Sequence, residues 1–523
     1  MVKTTYMAEN IQILWADDEI ELLNPYIRFL ESKGYHVIPV LSGNEAIDML
    51  DEQTVDIVFL DENMPGLSGL DCIQRIKSKR SSIPIVMITK SEEERIMEEA
   101  IGSNISDYLV KPVQPMQILH CLKKHTENRR LVTEKSTMDY QQSFRELSMK
   151  MAYASTAEDW TAIYRDMVYW DIELGKSTDD SIKEIFYTQK KEANAYFSRF
   201  VENNYENWLN GGADRPQMSH TLLRDCLIPK LNPDEPLVLL VIDNLRYDHW
   251  RAIQPLVSEY FRVEQDEIYY SILPTATHYA RNSLFAGLLP SQIEKIYPDL
   301  WLNENDDGNK NMKEPELLAS NLKRCGKNYR HYYYKVLNQE FGKKINERFT
   351  SLLDNSLIVG VYNFVDMLSH AHAETDVVRN LANDEQSYRS VVKSWFEHSQ
   401  VLELLRFLSE KRVRVMITTD HGTIRIKNPI RIQADRETNT NLRYKVGKNL
   451  ALDERDVFMI SRPESAFLPR LNVSSRYAFA TGDHFFVYPN NYTYYANYYK
   501  NTFQHGGVSM EEMLIPFVSL SPR

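Results

Sequence analysis

A set of aspartate and histidine residues between Asp243 and His505 has the types and spacing to bind two metal ions. Several of them directly follow short apolar runs that predict buried strands. The set comprises Asp243 after Leu237–Ile242, Asp366 and His370 in a D-x-x-x-H spacing, Asp420 and His421 before Gly422, and His505 before Gly506 and Gly507. Carboxylate and imidazole are common ligands of catalytic zinc, which keeps one position open for substrate. The pattern predicts a binuclear zinc site, although such mixed ligands also accept manganese.

A hydroxyl nucleophile is predicted beside these ligands. The PTAT segment at 274–277 opens a stretch of helical spacing, and free N–H groups at a helix N-terminus favour a phosphate. Two zinc ions about 4 Å apart can hold the attacking and leaving oxygens of a phosphoryl displacement. A threonine hydroxyl bound to one ion loses its proton more easily. Arg281 and Asn282 lie about one turn further on and are expected to orient the phosphoryl group.

A second group of polar residues follows the predicted strands of the first 125 residues. Its members are Asp17, Asp18, Asp61, Thr89, Tyr108 and Lys111. Clustered carboxylates need a cation to stay ionised together, and hard oxygen ligands select Mg²⁺. A carboxylate beside Mg²⁺ can accept a phosphoryl group as an acyl phosphate, and a lysine neutralises the added charge. The group therefore predicts a site of phosphorylation.

Alternating strand and helix patterns must position this second group. They predict strands at Ile11–Ala16, His36–Leu41, Asp56–Leu60, Ile85–Ile88 and Tyr108–Val110, with helices at Glu21–Lys33 and Asn44–Glu52. Such alternation is typical of a five-stranded parallel sheet with helices on both faces. Ligands of these sheets bind at the carboxyl ends of the strands, where the polar residues lie.

The rest of the chain predicts a helical connector and a second α/β region. Long helical periodicity with few Gly or Pro residues covers Tyr140–Tyr153, Trp160–Leu174 and Ile182–Leu209. Further strands are predicted at Leu237–Ile242, Leu357–Tyr362 and Val413–Ile417, and an exposed loop or edge strand at Tyr488–Tyr499. We therefore expect three domains, at residues 1–125, 126–220 and 221–523.

Composition excludes several classes of protein. The 61 lysine and arginine residues against 73 aspartate and glutamate residues give a net charge of −12, which disfavours binding to duplex DNA. The longest apolar run is Leu237–Ile242, much shorter than the roughly 20 residues of a membrane helix. The first ten residues contain no signal-peptide core. Four cysteines without a paired motif fit a reducing compartment, so we expect a cytoplasmic protein that does not cross a membrane.

Residues 10–125 resemble the CheY-type receiver domain of two-component systems. The resemblance rests on DDE at 17–19, FLDENMPGLSG at 59–69, MITK at 87–90 and YLVKP at 108–112. It implies that Asp61 is the phosphorylated residue. It also implies one Mg²⁺ bound by Asp17, Asp18, Asp61 and the backbone of Asn63.

The same resemblance implies how the receiver would switch. Thr89 and Tyr108 would move together on phosphorylation, and Lys111 would be aimed by a cis bond to Pro112. Receivers of this kind take their phosphoryl group from a sensor histidine kinase and often dimerise when modified.

Residues 225–523 resemble the alkaline phosphatase superfamily, and HGGVSMEEMLIP at 505–516 resembles the signature of its PglZ branch. The resemblance implies two Zn²⁺ ions. One would be held by Asp243, Asp420, His421 and Thr277, and the other by Asp366, His370 and His505. Thr277 is preferred as the nucleophile because Gly287 lies ten residues beyond it, with Thr275 as the alternative. A sulfatase is excluded because those enzymes convert a Cys or Ser to formylglycine, and position 277 is Thr.

A receiver joined to a PglZ domain through helices resembles a family of response regulators of type IX secretion in Bacteroidetes. That resemblance implies a zinc-dependent phosphodiesterase that acts on nucleotides or oligonucleotides. It would be controlled by phosphorylation of Asp61 and homodimerisation, and would work with a membrane sensor histidine kinase. The alternative is a non-catalytic, zinc-stabilised output domain that binds a secretion motor or sigma factor, although structural zinc is usually closed by four protein ligands. A DNA-binding regulator is not predicted.

Overall fold

The computed structural model describes residues 11–80, 83–90, 105–177, 179–435 and 438–523. The chain divides into two compact units. One comprises residues 1–139 with Ser177–Asp179, and the other comprises Tyr140–Lys176 with Asp180–Arg523. Within the described ranges, each helix is too short or too polar to cross a membrane.

The first unit is a parallel sheet of five strands in the order β2-β1-β3-β4-β5. Its strands are β1 Gln12–Ala16, β2 His36–Val40, β3 Ile57–Asp61, β4 Ile85–Thr89 and β5 Asp107–Val110. Its described helices include Asn24–Ser32, Gly43–Glu52, Gly69–Lys79 and Pro115–Leu122. Leu14 and Ala16 of β1 pack into one core, and Ile13 and Trp15 pack into the core on the opposite face. The predicted five-stranded parallel sheet is confirmed.

One helix of this unit begins later than its periodicity predicts. The segment Glu21–Lys33 is a 3₁₀ turn at Ile20–Leu23 followed by an α-helix at Asn24–Ser32. Pro25 stands in the first turn of that helix. Proline lacks an N–H group and favours the first turn of a helix, so it starts a new one here.

The second unit is built on a six-stranded sheet in the order β7-β19-β10-β6-β9-β8. Its strands are β6 Leu237–Ile242, β7 Phe261–Tyr270, β8 His331–Val336, β9 Leu357–Tyr362, β10 Arg414–Thr418 and β19 Leu514–Pro522. The strands β10, β6, β9 and β8 run parallel, and β19 and β7 are antiparallel to their neighbours. The predicted second α/β region is confirmed.

Helices from the predicted connector pack on this second sheet. They are Asn128–Tyr153, Ala157–Gly175 and Asp180–Leu209. Trp160, Phe197 and Trp208 share one hydrophobic core with the strands, and the rings of Trp208 and Tyr270 are 5.5 Å apart. These helices therefore belong to the second unit from Tyr140 onward, while a separate connector domain at 126–220 stays a prediction.

The remaining described elements surround the second sheet. Its other α-helices are Ser219–Leu222, Tyr247–Ser258, Thr277–Ala286, Pro290–Ile296, Glu314–Arg324, Gln339–Leu352, Phe364–Glu374, Asp376–Leu381, Glu385–Glu397, Gln400–Glu410, Tyr492–Tyr499 and Met510–Met513. Its short strands are β11 Ile424–Arg425, β12 Asn428–Gln433, β13 Tyr444–Gly447, β14 Ala451–Leu452, β15 Val457–Ile460, β16 Arg476–Ala480, β17 His484–Val487 and β18 Phe503–Gln504. The tyrosine-rich segment thus contains a helix, where a loop or strand was expected. Its rings stack four residues apart, as Tyr494 does on Tyr498.

Candidate active site

Three carboxylates meet at the carboxyl edge of the six-stranded sheet. Asp243 directly follows β6, Asp420 lies two residues after β10, and Asp366 lies in the first turn of the helix after β9. Because β10, β6 and β9 are neighbours and run parallel, the three side chains reach the same place. Asp243 and Asp420 are fully buried.

Three imidazoles join these carboxylates. His421 Nε2 lies 3.7 Å from an oxygen of Asp243 and 3.7 Å from one of Asp420. His505 Nε2 lies 3.6 Å from Asp366, and the His505 ring stacks on His421 at 4.1 Å between centroids. His370 Nε2 lies 3.5 Å from Asp366, and 59% of its side chain is exposed, so it stands at the solvent side of the cluster.

Backbone carbonyl groups orient two of the imidazoles. His421 Nδ1 lies 3.1 Å from the carbonyl of Gly422, and His505 Nδ1 lies 3.1 Å from that of Thr275. A carbonyl oxygen only accepts, so we assign the proton to Nδ1 in both rings. Each Nε2 therefore presents a lone pair to carboxylate oxygens. Metal-binding histidines are commonly oriented in this way, by a hydrogen bond from the ring nitrogen that does not bind the metal.

The electrostatics of the cluster favour a bound cation. Burial raises the pKa of Asp243, but Arg281 and His421 outweigh this effect and hold it at about 2. Burial and the charge of Asp243 raise the pKa of both Asp420 and Asp366. Burial lowers the pKa of His421, and burial with the nearby His421 lowers that of His505 to about 3.

Two carboxylate oxygens of the cluster lack a hydrogen-bond donor. They are Asp243 Oδ1 and Asp420 Oδ2, and both are buried. An unpaired buried oxygen is costly, and a metal ion is one of the partners that satisfies it. Within the described residues, the ligand atoms of Asp243, Asp420 and His421 lie within 4.8 Å of one another, as do those of Asp366, His421 and His505. The donor set fits divalent metal ions.

Thr277 and Thr275 have different surroundings. Thr277 Oγ1 lies 3.0 Å from His421 Nε2, and Thr277 begins the helix Thr277–Ala286, whose N-cap residue offers no side-chain acceptor. Thr275 is fully buried; its hydroxyl donates to the carbonyl of Gly507 and accepts from the N–H of Gly506. Thr277 therefore faces the cluster, whereas Thr275 holds the loop that carries His505.

Arg281 and Asn282 make contacts that differ from those expected. Arg281 is 1% exposed, donating to Asp243 at 2.5 Å and to Glu314 at 2.7 Å. Asn282 donates to the carbonyl of Lys310, and its Oδ1 accepts from Asn311. Arg281 thus orients a carboxylate of the cluster, while a contact of this arginine with a phosphate stays a prediction. Glu314 binds it because the fold brings this distant residue beside the helix.

The carboxyl edge of the first sheet gathers a separate group. Lys111 Nζ lies 2.7 Å from Asp61 and 3.0 Å from Asp17, both of which are buried. The exposed Asp18 offers a third oxygen within 4.8 Å of theirs. Burial raises the pKa of Asp61, while Lys111 and the N–H of Asn63 oppose this shift.

The two predicted switch residues differ in exposure. The buried hydroxyl of Thr89 donates to the Glu62 carboxylate, while Tyr108 is 39% exposed. The Lys111–Pro112 peptide is cis. Glu62 was not singled out from the sequence, although its position directly after Asp61 in the LDEN run was a signal.

In a second cluster of the first unit, protein donors already balance the negative charge. The carboxylate of Asp107 accepts from Lys124 at 2.8 Å, lies 2.9 Å from His125 Nε2 and is 3.8 Å from Cys121 Sγ. Its charge is balanced by protein donors, in contrast to the unpaired oxygens of Asp243 and Asp420.

Comparison with protein families extends these observations. The family model of the "BREX system PglZ alkaline phosphatase-like domain" matches residues 222–520, more than half of the chain. The chain belongs to the PglZ family. The model of the "PorX response regulator linker domain" matches residues 130–209, and that of the "Response regulator receiver domain" matches residues 13–123. The protein is therefore a PorX-type fusion of a receiver, a linker and a PglZ domain, and a two-component response regulator.

Several individual relatives match about a fifth of the chain. VanR of Enterococcus faecium is 32% identical over 114 residues, covering 21% of this chain and 48% of that protein. ResD of Bacillus subtilis is 32% identical over 108 residues, covering 21% of this chain and 45% of that protein. This chain spans about half the length of these curated relatives. Among solved structures, CheY4 of Vibrio cholerae is 26% identical, covering 22% of this chain and 98% of that one, with a TM-score of 0.21.

Sequence reasoning missed two residues that hold the PglZ cluster. Asn244, with a φ of 65°, follows Asp243 and donates to Ser369 at 3.1 Å, on the helix of Asp366. Glu512 accepts from the N–H of Gly507 and from Arg443, and so fixes the loop after His505. The position of Glu512 inside the HGGVSMEEM run was an available signal.

Gly422 provides a test of how tightly the PglZ cluster is built. A Cβ at this position would lie 2.0 Å from the backbone oxygen of Glu511. We expect Gly422→Ala to lower the free energy of unfolding by about 1–3 kcal/mol through overpacking, and to displace the adjacent His421. Urea unfolding and zinc content measure both effects.

The matched control is Gly175→Ala. The nearest atom to a Cβ there is 3.6 Å away, in the side chain of Gln386. We expect wild-type stability and metal content for this variant. Unchanged stability and zinc content in Gly422→Ala would show that the space between Gly422 and the Glu511 backbone can accommodate a side chain.

Proposed function

We propose that the PglZ domain is a zinc-dependent phosphodiesterase in which Thr277 is the nucleophile and nucleotides or oligonucleotides are the substrates. The observation that carries this proposal is the placement of the Thr277 hydroxyl, 3.0 Å from His421 Nε2 beside buried, unpaired carboxylate oxygens. A buried cluster of this kind with an adjacent hydroxyl is suited to phosphoryl transfer.

Different side chains would bind each of the two metal ions in this reaction. Asp243, Asp420 and His421 would hold one divalent ion, and Asp366, His370 and His505 the other. When bound, the ions would lower the pKa of the threonine hydroxyl and balance charge on the phosphate. The N–H groups in the first turn of the Thr277 helix favour the phosphoryl oxygens.

The bond changes would occur in two steps. Thr277 Oγ1 gives up its proton and forms a bond to phosphorus while the bond to the leaving alcohol breaks, and the leaving oxygen takes up one proton. Water then attacks the phosphothreonine, which releases a phosphomonoester and restores the hydroxyl. Arg281 keeps Asp243 in place throughout, since it donates to that carboxylate.

Metal analysis followed by turnover tests the proposal. We expect about two zinc ions per chain and zinc-dependent hydrolysis of bis-p-nitrophenyl phosphate and of the p-nitrophenyl ester of thymidine 5′-monophosphate. Absence of turnover on both diesters in fully metal-loaded protein would contradict the enzyme. It would favour the protein-binding output domain.

We propose further that phosphorylation of Asp61 controls the output domain. A membrane sensor histidine kinase would supply the phosphoryl group, with one Mg²⁺ held by Asp17, Asp18, Asp61 and the Asn63 backbone. The link of Lys111 to two carboxylates supports this, since the lysine can follow the added charge. A role in type IX secretion through a motor protein or sigma factor, in the cytoplasm, completes the proposal.

Beryllofluoride, a stable mimic of the acyl phosphate, is expected to raise the dimer fraction. Asp61→Ala should abolish this response because the mimic needs the carboxylate, whereas Asp51→Ala, which removes an exposed ion pair to Lys79, should respond as the wild type does. Light scattering after size exclusion measures the fraction. A wild-type profile that the mimic leaves unchanged would contradict dimerisation as the switch.

A further inference from the structure

Lys335 lies at the same sheet edge as the metal-binding cluster. It is the penultimate residue of β8, which pairs in parallel with β9, so that Lys335 stands opposite Val361. The chain reaches Asp366 five residues beyond Val361. The Lys335 side chain is 20% exposed, so its ammonium group can be reached by a ligand.

Tyr333 and Lys335 point to the same side of β8, because residues two apart in a strand share a face. Both meet Glu314, which is fully buried. The Tyr333 hydroxyl donates to Glu314 Oε2, whereas Lys335 Nζ lies 3.8 Å from this oxygen, too far for a hydrogen bond. Arg281 occupies the other oxygen of Glu314.

Lys335 thus differs from Arg281, the arginine that also contacts Glu314. The guanidinium of Arg281 is buried and already donates to two carboxylates. For Lys335, the structure of the described residues gives an ion pair with Glu314 and no hydrogen bond. Its three N–H donors are therefore available to an anion.

The charge of Lys335 is felt at the cluster. Burial lowers its pKa and Arg281 lowers it further, whereas Glu314, Asp243 and Asp420 raise it. Lys335 Nζ lies 3.8 Å from Glu314, whose other oxygen accepts from Arg281, and Arg281 in turn donates to Asp243. Because of this chain of contacts, an anion at Lys335 would lie close to a phosphate bound at the cluster.

We propose that Lys335 Nζ binds a second phosphate group of the substrate, next to the phosphodiester that is cleaved. The site would then prefer 5′-phosphorylated dinucleotides and longer oligonucleotides over diesters that carry a single negative charge. This proposal rests on the proposed phosphodiesterase function. It assigns to Lys335 the phosphate contact that was expected of Arg281.

The test compares two substrates in wild type and Lys335→Met. For a 5′-phosphorylated dinucleotide, we expect KM to rise by about 10- to 100-fold, as for loss of a hydrogen bond to a charged group. For bis-p-nitrophenyl phosphate, we expect kcat/KM to fall by less than about threefold, because its single phosphate does not contact the lysine and loses only the longer-range attraction of its charge. Lys335→Arg should recover most of the dinucleotide binding.

Two controls make the result specific. Lys313→Met removes an exposed lysine that pairs with Glu316, and it should bind both substrates as the wild type does. Zinc content of each variant shows that the metal sites are filled. An equal loss on both substrates, or no loss on the dinucleotide, would overturn the role of Lys335.

Binding separates this proposal from the proposed function. If zinc-loaded wild type cleaves neither substrate, the phosphodiesterase has failed, but calorimetry with the 5′-phosphorylated dinucleotide still measures the lysine contact. We expect Kd to be at least about tenfold weaker in Lys335→Met. Equal affinity in the two proteins, or no binding to either, would overturn the lysine contact as well.

Discussion

Thr277→Val is expected to reduce kcat for phosphodiester hydrolysis by at least about 10³-fold, as removal of a nucleophile does in other enzymes. Valine retains the branched shape and removes only the hydroxyl, which contacts His421. We therefore expect little change in zinc content or in the midpoint of thermal unfolding. Steady-state kinetics with bis-p-nitrophenyl phosphate measures kcat. Elemental analysis and thermal unfolding measure the zinc content and the midpoint.

Thr275→Val is the matched comparison. Loss of its hydroxyl leaves the N–H of Gly506 and the carbonyl of Gly507 unpaired in a buried loop. We expect a loss of about 1–3 kcal/mol in stability and weaker zinc binding, because the same loop carries His505. Its activity should return with excess zinc, whereas that of Thr277→Val should not. The opposite pattern would make Thr275 the nucleophile.

Removal of metal is expected to abolish turnover and to destabilise the PglZ domain. Without a cation, one buried oxygen of Asp243 and one of Asp420 have no donor, and Asp366 lies at the same cluster. A ligand at about 1,000 times its Kd stabilises the native state by about 4 kcal/mol. Chelation should therefore lower the unfolding midpoint, and added Zn²⁺ should restore both the midpoint and the activity.

A single histidine variant tests which residues bind the metal. We expect His505→Ala to lose about one zinc per chain and at least about 100-fold in kcat/KM, since His505 Nε2 faces Asp366. His398→Ala is the control, because its ring is exposed and hydrogen-bonds to the nearby carbonyl of Ser394, away from the cluster's ligands. Full metal content and activity in His505→Ala would contradict its role as a ligand.

The sheet edge could be predicted from the sequence because burial and polarity change abruptly there. The run LVLLVI directly precedes Asp243, and a short apolar run of this kind is typical of a strand buried on both faces. Adjacent parallel strands must bring their carboxyl ends together, so the acids after β6, β9 and β10 could be assigned to one cluster. The order of strands in the sheet, however, came only from the structure.

Contacts made by tertiary packing could not be predicted in this way. Glu314 lies 33 residues from Arg281 and belongs to no motif, yet it determines that the arginine holds Asp243. Lys335 sits within a tyrosine-rich strand that carries no signal of chemistry until β8 is placed beside β9. These roles depend on which buried charges meet, and neither spacing nor periodicity encodes that.

Anomalous diffraction at the zinc edge tests the metal cluster most directly. We expect two peaks about 4 Å apart, one beside Asp243, Asp420, His421 and Thr277, and the other beside Asp366, His370 and His505. Peaks absent from these residues in crystals grown with zinc, or a single ion enclosed by four protein ligands away from Thr277, would contradict a two-metal phosphodiesterase.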